Sequence, residues 1–240
     1  MTRGRLAKVA EDHIRFAQFP IVGLNVKESD NWNVGAAEIS FSGKVQNCCV
    51  CFIDMIGSTK ISSDLTPVQL SRYYELFLNA IALIAKNFGA KIVKNAGDAL
   101  IFYFADASNP KDIIKFKNVL DCGLTMGMAS NTLNAKMLNE GLPPIKYRVS
   151  ADYGQVSVAR SLSSQSEDLF GPAMNISAKI NSLAKPNGLV IGENLFSIVK
   201  GLDEYTFIPA SAGSSEYTAY HVEEKEKKKI INPFDRRALS

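Results

Sequence analysis

The stretch AKIVKNAGDALIFYF (90–104) constrains this chain more than any other. Two apolar, β-rich runs flank Asn95-Ala96-Gly97-Asp98, the residue types that accept a hairpin turn, so an antiparallel sheet is implied with Asp98 at a hairpin tip. Upstream, CCVCFID (48–54) is a short apolar run that ends on Asp54 and then meets Gly57, which reads as a buried strand running into a tight loop. A helix joins the two. Thr66-Pro67-Val68-Gln69 has a capping-box pattern with proline at the first helical position, and Leu70, Tyr73, Phe77, Ile81, Ile84 and Phe88 keep helical spacing until Gly89. Asn109-Pro110 opens a second long helix that ends near Gly141, where Pro143 and Pro144 bar its continuation. IKYRVSAD and QVSVARS predict two strands joined through Tyr153-Gly154. A helix from Pro172 to about Ala184, the run GLVIGENL, a short helix and the strands YTFIPA and EYTAYHV complete the pattern. The order predicts an α+β fold with a ferredoxin-like βαββαβ core, helices on one face, and additional C-terminal strands and a helix.

A chain of 240 residues suits one large domain with extensions. We divide it into an N-terminal extension (1–46, amphipathic around His13 to Phe19), a globular domain (47–222) and a charged tail (223–240). With 46% hydrophobic and 21% charged residues, collagen-like and broadly disordered classes are excluded, and a net charge of +3 gives no reason to expect a nucleic-acid partner. No apolar run approaches the ~18 residues of a membrane helix, and the N-terminus lacks a secretory core, which predicts a cytoplasmic protein. Three of the four cysteines (Cys48, Cys49, Cys51) share one strand, so they read as small buried apolar residues rather than bridges. His13 and His221 are the only histidines, a poor basis for a His triad or a zinc site. The P-loop pattern is absent.

In a sheet of this order the first strand and the first hairpin are neighbours, so Asp54 and Asp98 can converge. Two carboxylates facing one pocket repel each other unless cations sit between them. Magnesium, a hard cation that takes oxygen ligands and substrate phosphates, answers that repulsion. The loop Met55-Ile56-Gly57-Ser58-Thr59 is small and polar where backbone N–H groups could face phosphate. Ordinary turn chemistry would also explain either acid taken alone.

Four segments, VCFIDMIGSTKISS, KIVKNAGDALIFYF, YRVSADYGQVSVA and DLFGPAMNISAKINSLA, resemble in order the signature segments of class III nucleotidyl cyclase catalytic domains, over roughly Cys48 to Val222. The resemblance implies a head-to-tail homodimer that converts a nucleoside triphosphate, ATP foremost, to its 3',5'-cyclic monophosphate, a second messenger, and pyrophosphate. It implies two Mg2+ ions per site, replaceable by Mn2+, held by Asp54, Asp98 and the Met55 carbonyl. The amides of Ile56, Gly57, Ser58 and Thr59 would grip the triphosphate, Lys94 and Asp168 would read the base, and Asn175 would orient the ribose. Where the family has a transition-state arginine, this chain has Lys179, a point charge without the planar fork. A lysine common before the family's last strand is missing from SAGSSEYTAYHV (211–222), so slow turnover is expected.

Lys94 can only donate and ionised Asp168 can only accept. That fits adenine, leaves cytosine open because its edge has the same pattern, and mismatches guanine. A pyrimidine or guanylyl cyclase of the same family is the nearer alternative, and a catalytically weak nucleotide-binding regulatory module is the alternative from another class. A diguanylate cyclase fits poorly, since the hairpin reads NAGDALIF rather than G-G-D-E-F.

Overall fold

Eight strands form one sheet, in the order 91–96 (β2), 99–104 (β3), 39–55 (β1), 147–161 (β4), 189–192 (β6), 219–224 (β8) and 205–209 (β7), with 167–170 (β5) paired to β4 off this path. The computed structural model describes residues 39–161, 167–210 and 217–225. Strands β1 (Ile39–Met55), β2 (Lys91–Ala96), β3 (Ala99–Phe104) and β4 (Tyr147–Ser161), with helices α1 (Ser58–Asp64), α2 (Pro67–Asn87) and α3 (Ile113–Asn139), build the ferredoxin-like half. Then come β5 (Glu167–Phe170), α4 (Pro172–Ile180), a 3-10 turn (Asn181–Leu183), β6 (Leu189–Gly192), α5 (Glu193–Val199), β7 (Tyr205–Pro209) and β8 (Ala219–Glu224). The pairings are antiparallel except β4 with β6.

The α2 start is as the sequence predicts: Thr66 Oγ1 accepts from the Gln69 amide, the Gln69 side chain accepts from the Thr66 amide, and Pro67 opens the helix. Its apolar stripe, Tyr73, Phe77, Ile81 and Ile84, is fully buried against Cys49, Cys51 and Ile53 of β1 and against α3. Each such side chain contributes ~1.5–3 kcal/mol of burial free energy. All four cysteines are buried and unbridged.

Four expectations need correcting. Helices cover both faces of the sheet: α2, α3 and α5 lie over Cys49, Cys51 and Ile53, while α4 covers Cys48 and Val50. The reason is that both alternating rows of β1 are apolar, so each needs a cover. IKYRVSAD and QVSVARS form one continuous strand, β4, because Gly154 marks a close helix approach rather than a turn; a Cβ there would lie 3.3 Å from Ala173 Cβ. The segment after Asp54 is a helix from Ser58, entered through Gly57 in the left-handed region (φ 77°). Finally, α3 begins at Ile113 because the Asn109 side chain and carbonyl tie the Lys111 and Asp112 amides into a turn.

The last part of the expected extension, from Ile39, is already β1; the rest of it, the His13 to Phe19 stretch and most of the tail lie outside the described residues. Beyond Gly154, β4 and β5 fold over the sheet, so that Val156 and Leu169 pack on Ile101 and Tyr103, and β5 reaches β2 although β3 and β1 lie between β2 and β4. On the opposite face, α3 touches backbone: a Cβ on Gly127 would sit 2.3 Å from the Asn187 carbonyl oxygen.

Candidate functional site

Strand alternation puts Asp54 in the row of Cys48, Val50 and Phe52, at the end of β1. It pairs across the sheet with Ala99 on one side and Arg148 on the other. Asp98 immediately precedes Ala99 in the tight β2–β3 turn, which Gly97 makes possible by taking φ 64°. The two acids therefore come together as the sequence predicts. Burial pushes the Asp54 carboxyl above its ordinary range and the Asp98 charge pushes it further, against the Arg148 guanidinium and the Met55 amide, which pull it down. A cavity of about 170 Å3 opens beside them, lined by Phe52, Asp54, Ala99, Arg148, Asn181 and Ser182 among others.

Arg148 was not foreseen, though a signal existed: an arginine inside the apolar run YRVSAD requires an anionic or carbonyl partner if that run is buried. Its Nε donates to the Ala184 carbonyl at 3.2 Å. Next to it, a buried polar set fixes α4 on the sheet. Ser177 Oγ donates to the Val50 carbonyl at 2.8 Å, Ser150 Oγ donates to the Ser177 carbonyl at 2.7 Å, and the Asn181 amide donates to Ser150 Oγ at 3.0 Å. Gly171 (φ 147°) starts this helix where a Cβ would meet the Gln155 carbonyl oxygen at 2.6 Å.

The loop residues divide. The Ile56 amide already donates to the Lys146 carbonyl at 2.8 Å, whereas Gly57, Ser58 and Thr59 form the first turn of α1, where amides have no intrahelical acceptor. Lys94, on the edge strand β2, and Asp168, on β5, are joined as an ion pair, and the Leu169 amide donates to the other Asp168 oxygen at 2.9 Å. Their side chains remain 44% and 29% exposed, so a ligand can reach both.

Asn175 and Lys179 are exposed and one turn apart on α4. Lys179 Nζ donates to Tyr217 Oη at 2.5 Å. Neither residue lines the Asp54 cavity. Asn175 and Lys179 thus stand outside that lining, although Ala178, Asn181 and Ser182 of the same stretch belong to it.

Among the described residues no three or more His, Cys, Asp or Glu side chains are so placed that they could hold a metal ion by themselves. The donors around Asp54 are nonetheless hard oxygens, two carboxylates and the Met55 carbonyl, and the mutual repulsion of the acids is what a divalent cation relieves. That donor set fits magnesium. No helix among the described residues is long and apolar enough to cross a membrane.

The chain matches the family model described as the adenylate and guanylate cyclase catalytic domain over residues 41–228. It is 23% identical over 199 residues to the cytidylate cyclase of Staphylococcus aureus, covering 81% of this chain and 45% of that protein. It is 25% identical over 118 residues to the putative adenylate cyclase 3 of Rhizobium meliloti (strain 1021), covering 49% and 17%. The chain thus spans less than half the length of these relatives. Among solved structures, the guanylyl cyclase Cya2 superposes with a TM-score of 0.66 at 17% identity, covering 79% of this chain and 97% of the other. The adenylyl cyclase CyaB from P. aeruginosa gives 0.65 at 19% identity, covering 79% and 98%.

Proposed function

Because the chain belongs to the adenylate and guanylate cyclase catalytic domain family, we propose that it closes a nucleoside triphosphate into its 3',5'-cyclic monophosphate at a site shared by two copies. The observation that carries the reading is the convergence of Asp54 and Asp98 at one end of the sheet, beside a guanidinium. In the reaction the ribose 3'-oxygen gives up its proton to solvent and bonds to the α-phosphorus, while the bond from that phosphorus to the pyrophosphate oxygen breaks and pyrophosphate leaves. Asp54, Asp98 and the Met55 carbonyl would hold two magnesium ions, or manganese in their place, which would neutralise phosphate charge and acidify the 3'-hydroxyl.

Arg148 adds a fixed positive charge beside these acids, suited to a phosphate oxygen. The amides of Gly57, Ser58 and Thr59 donate to the triphosphate; the Ile56 amide is committed to Lys146, so it contributes by shaping the turn. From the second copy, Asn175 holds the ribose and Lys179 meets charge that develops on the phosphates. A two-fold pair completes two equivalent sites. That Asn175 and Lys179 do not line the cavity beside Asp54 supports this arrangement.

Lys94 and Asp168 select a base that presents a ring-nitrogen acceptor beside an amino donor. Adenine and cytosine do so; guanine presents a donor at N1, which would face the donors of Lys94. ATP is the first reading. CTP is the second, favoured by the similarity to a cytidylate cyclase over 81% of the chain. Incubation with ATP, GTP, CTP and UTP, each with magnesium or manganese, and identification of products by mass spectrometry tests both. We expect a cyclic monophosphate from ATP or CTP, abolished by Asp54→Ala and by Asp98→Ala. No cyclic product from any of the four, or undiminished product in those variants, would overturn the cyclase reading; product from GTP or UTP alone would overturn only the base assignment.

A further inference from the structure

Lys179 carries its charge on a flexible four-carbon stem, so nothing in the side chain itself orients its ammonium, whereas a guanidinium is oriented by its own plane. In this chain a second residue supplies an orientation. Lys179 Nζ lies 2.5 Å from Tyr217 Oη and 4.7 Å from the centre of the Tyr217 ring, so the ammonium reaches the phenol oxygen while lying over the ring. The contact combines a hydrogen bond from the ammonium to the phenol oxygen with a cation–π contact, and only the hydrogen bond depends on the oxygen. The phenol is itself held: the Tyr217 ring packs against the cluster of Ile180, Ala184, Val190, Ala210 and Ala219, just before β8 begins at Ala219. Ile180 and Ala184 are neighbours of Lys179 in sequence, so the same packing that seats the tyrosine also seats the end of α4.

We propose that Tyr217 is a positioning residue for the cyclisation reaction, fixing the direction in which Lys179 presents its ammonium to the phosphates. An ammonium has three N–H donors; giving one to a stationary oxygen restricts where the other two point. The entropy of ordering the lysine is then met before substrate arrives. A shorter, rotatable charge together with a fixed phenol replaces the fork that an arginine brings by itself. This assignment rests on the cyclase reading.

The test compares Tyr217→Phe, Lys179→Arg and the double variant in the full chain, with steady-state kinetics on the nucleotide that wild type cyclises. Phenylalanine keeps the ring and its packing and removes only the oxygen, so the melting temperature of Tyr217→Phe should match wild type. Loss of a hydrogen bond to a charged group predicts a fall in kcat of about tenfold, with KM changed by less than about threefold. On the Lys179→Arg background, removal of the phenol oxygen should change kcat by less than about twofold, since the guanidinium no longer depends on it. An unchanged kcat in Tyr217→Phe overturns the assignment. So does an equal loss on both backgrounds, which would show that the hydroxyl does not act through Lys179. A wild-type chain that forms no cyclic product overturns the cyclase reading and this assignment together, an outcome distinct from an active wild type in which Tyr217→Phe is silent.

Discussion

If two copies share each site, then Asp54→Ala and Asn175→Ala should complement one another. Every site in an Asp54→Ala homodimer lacks an acid, and every site in an Asn175→Ala homodimer lacks the ribose contact. In the mixed dimer, one site draws Asp54 from the Asn175→Ala chain and Asn175 from the Asp54→Ala chain, and is complete. The other lacks both. A mixed dimer isolated through two different affinity tags should therefore show about half of wild-type activity per dimer, and an equimolar random mixture about one quarter, because about half of its dimers are mixed. The count follows from the division of residues between the copies: Asp54 and Arg148 line a cavity that Asn175 and Lys179 do not line. Cyclic product is measured at saturating nucleotide with manganese. If all residues of a site came from one chain, mixing would restore nothing, since each variant chain would carry its own defect. A mixed dimer no more active than its parents, or a monomeric form with full activity, would refute the shared site.

Three further outcomes test the fold. Gly127→Ala should destabilise the protein by ~1–2 kcal/mol in urea unfolding, because overpacking against the Asn187 carbonyl outweighs the gain of ~1 kcal/mol in helix propensity; an unchanged or raised midpoint would count against that backbone contact. Arg72 grips Glu140 through two hydrogen bonds of 2.7 and 2.9 Å, which holds the Glu140 carboxyl down at about 2. Since this acid is depressed in the folded chain, its contribution is complete above the unfolded value of 4.5 and fades as pH falls toward about 2. Glu140→Gln should accordingly cost ~1 kcal/mol at pH 7, and the difference from wild type should shrink across that acid window in denaturant titrations. Burial raises all four thiols, Cys48 to about 12. A thiol reagent at pH 8 should leave them unmodified in the native protein and modify all four after unfolding; rapid native labelling would contradict the buried placement.

Much of the first half was legible in the sequence because its signals are local. The Thr66 cap, the apolar stripe of α2 and the turn at Asn95 to Asp98 each specify backbone within a few residues, and the order of elements then brings Asp54 beside Asp98. What escaped reading depends on contacts between distant segments. Gly154 reads as a turn but serves the approach of Ala173, so the sequence pattern splits a strand that is continuous in the fold. The start of α5 carries no cap of its own; Asp152, from β4, accepts from the Leu195 amide at 3.0 Å, and Gly192 is required because a Cβ would lie 2.5 Å from the Asp152 carboxyl carbon. Arg148 acquires meaning only once the register sets it opposite Asp54. The pairing of Lys179 with Tyr217 likewise joins a helix end to a strand start far along the chain.

The link between Lys94 and Asp168 fastens the folded-over β5 to the outermost strand β2, like a clasp closing a ring of strands. A half-exposed pair of this kind is worth only ~0–1 kcal/mol, so it is a catch that opens cheaply. An incoming base able to give an acceptor to the lysine and a donor to the aspartate would take over both halves on nearly even terms. A base with the reverse pattern would have to undo the catch and satisfy neither half, so discrimination would begin with the cost of entry, before any chemistry at phosphorus.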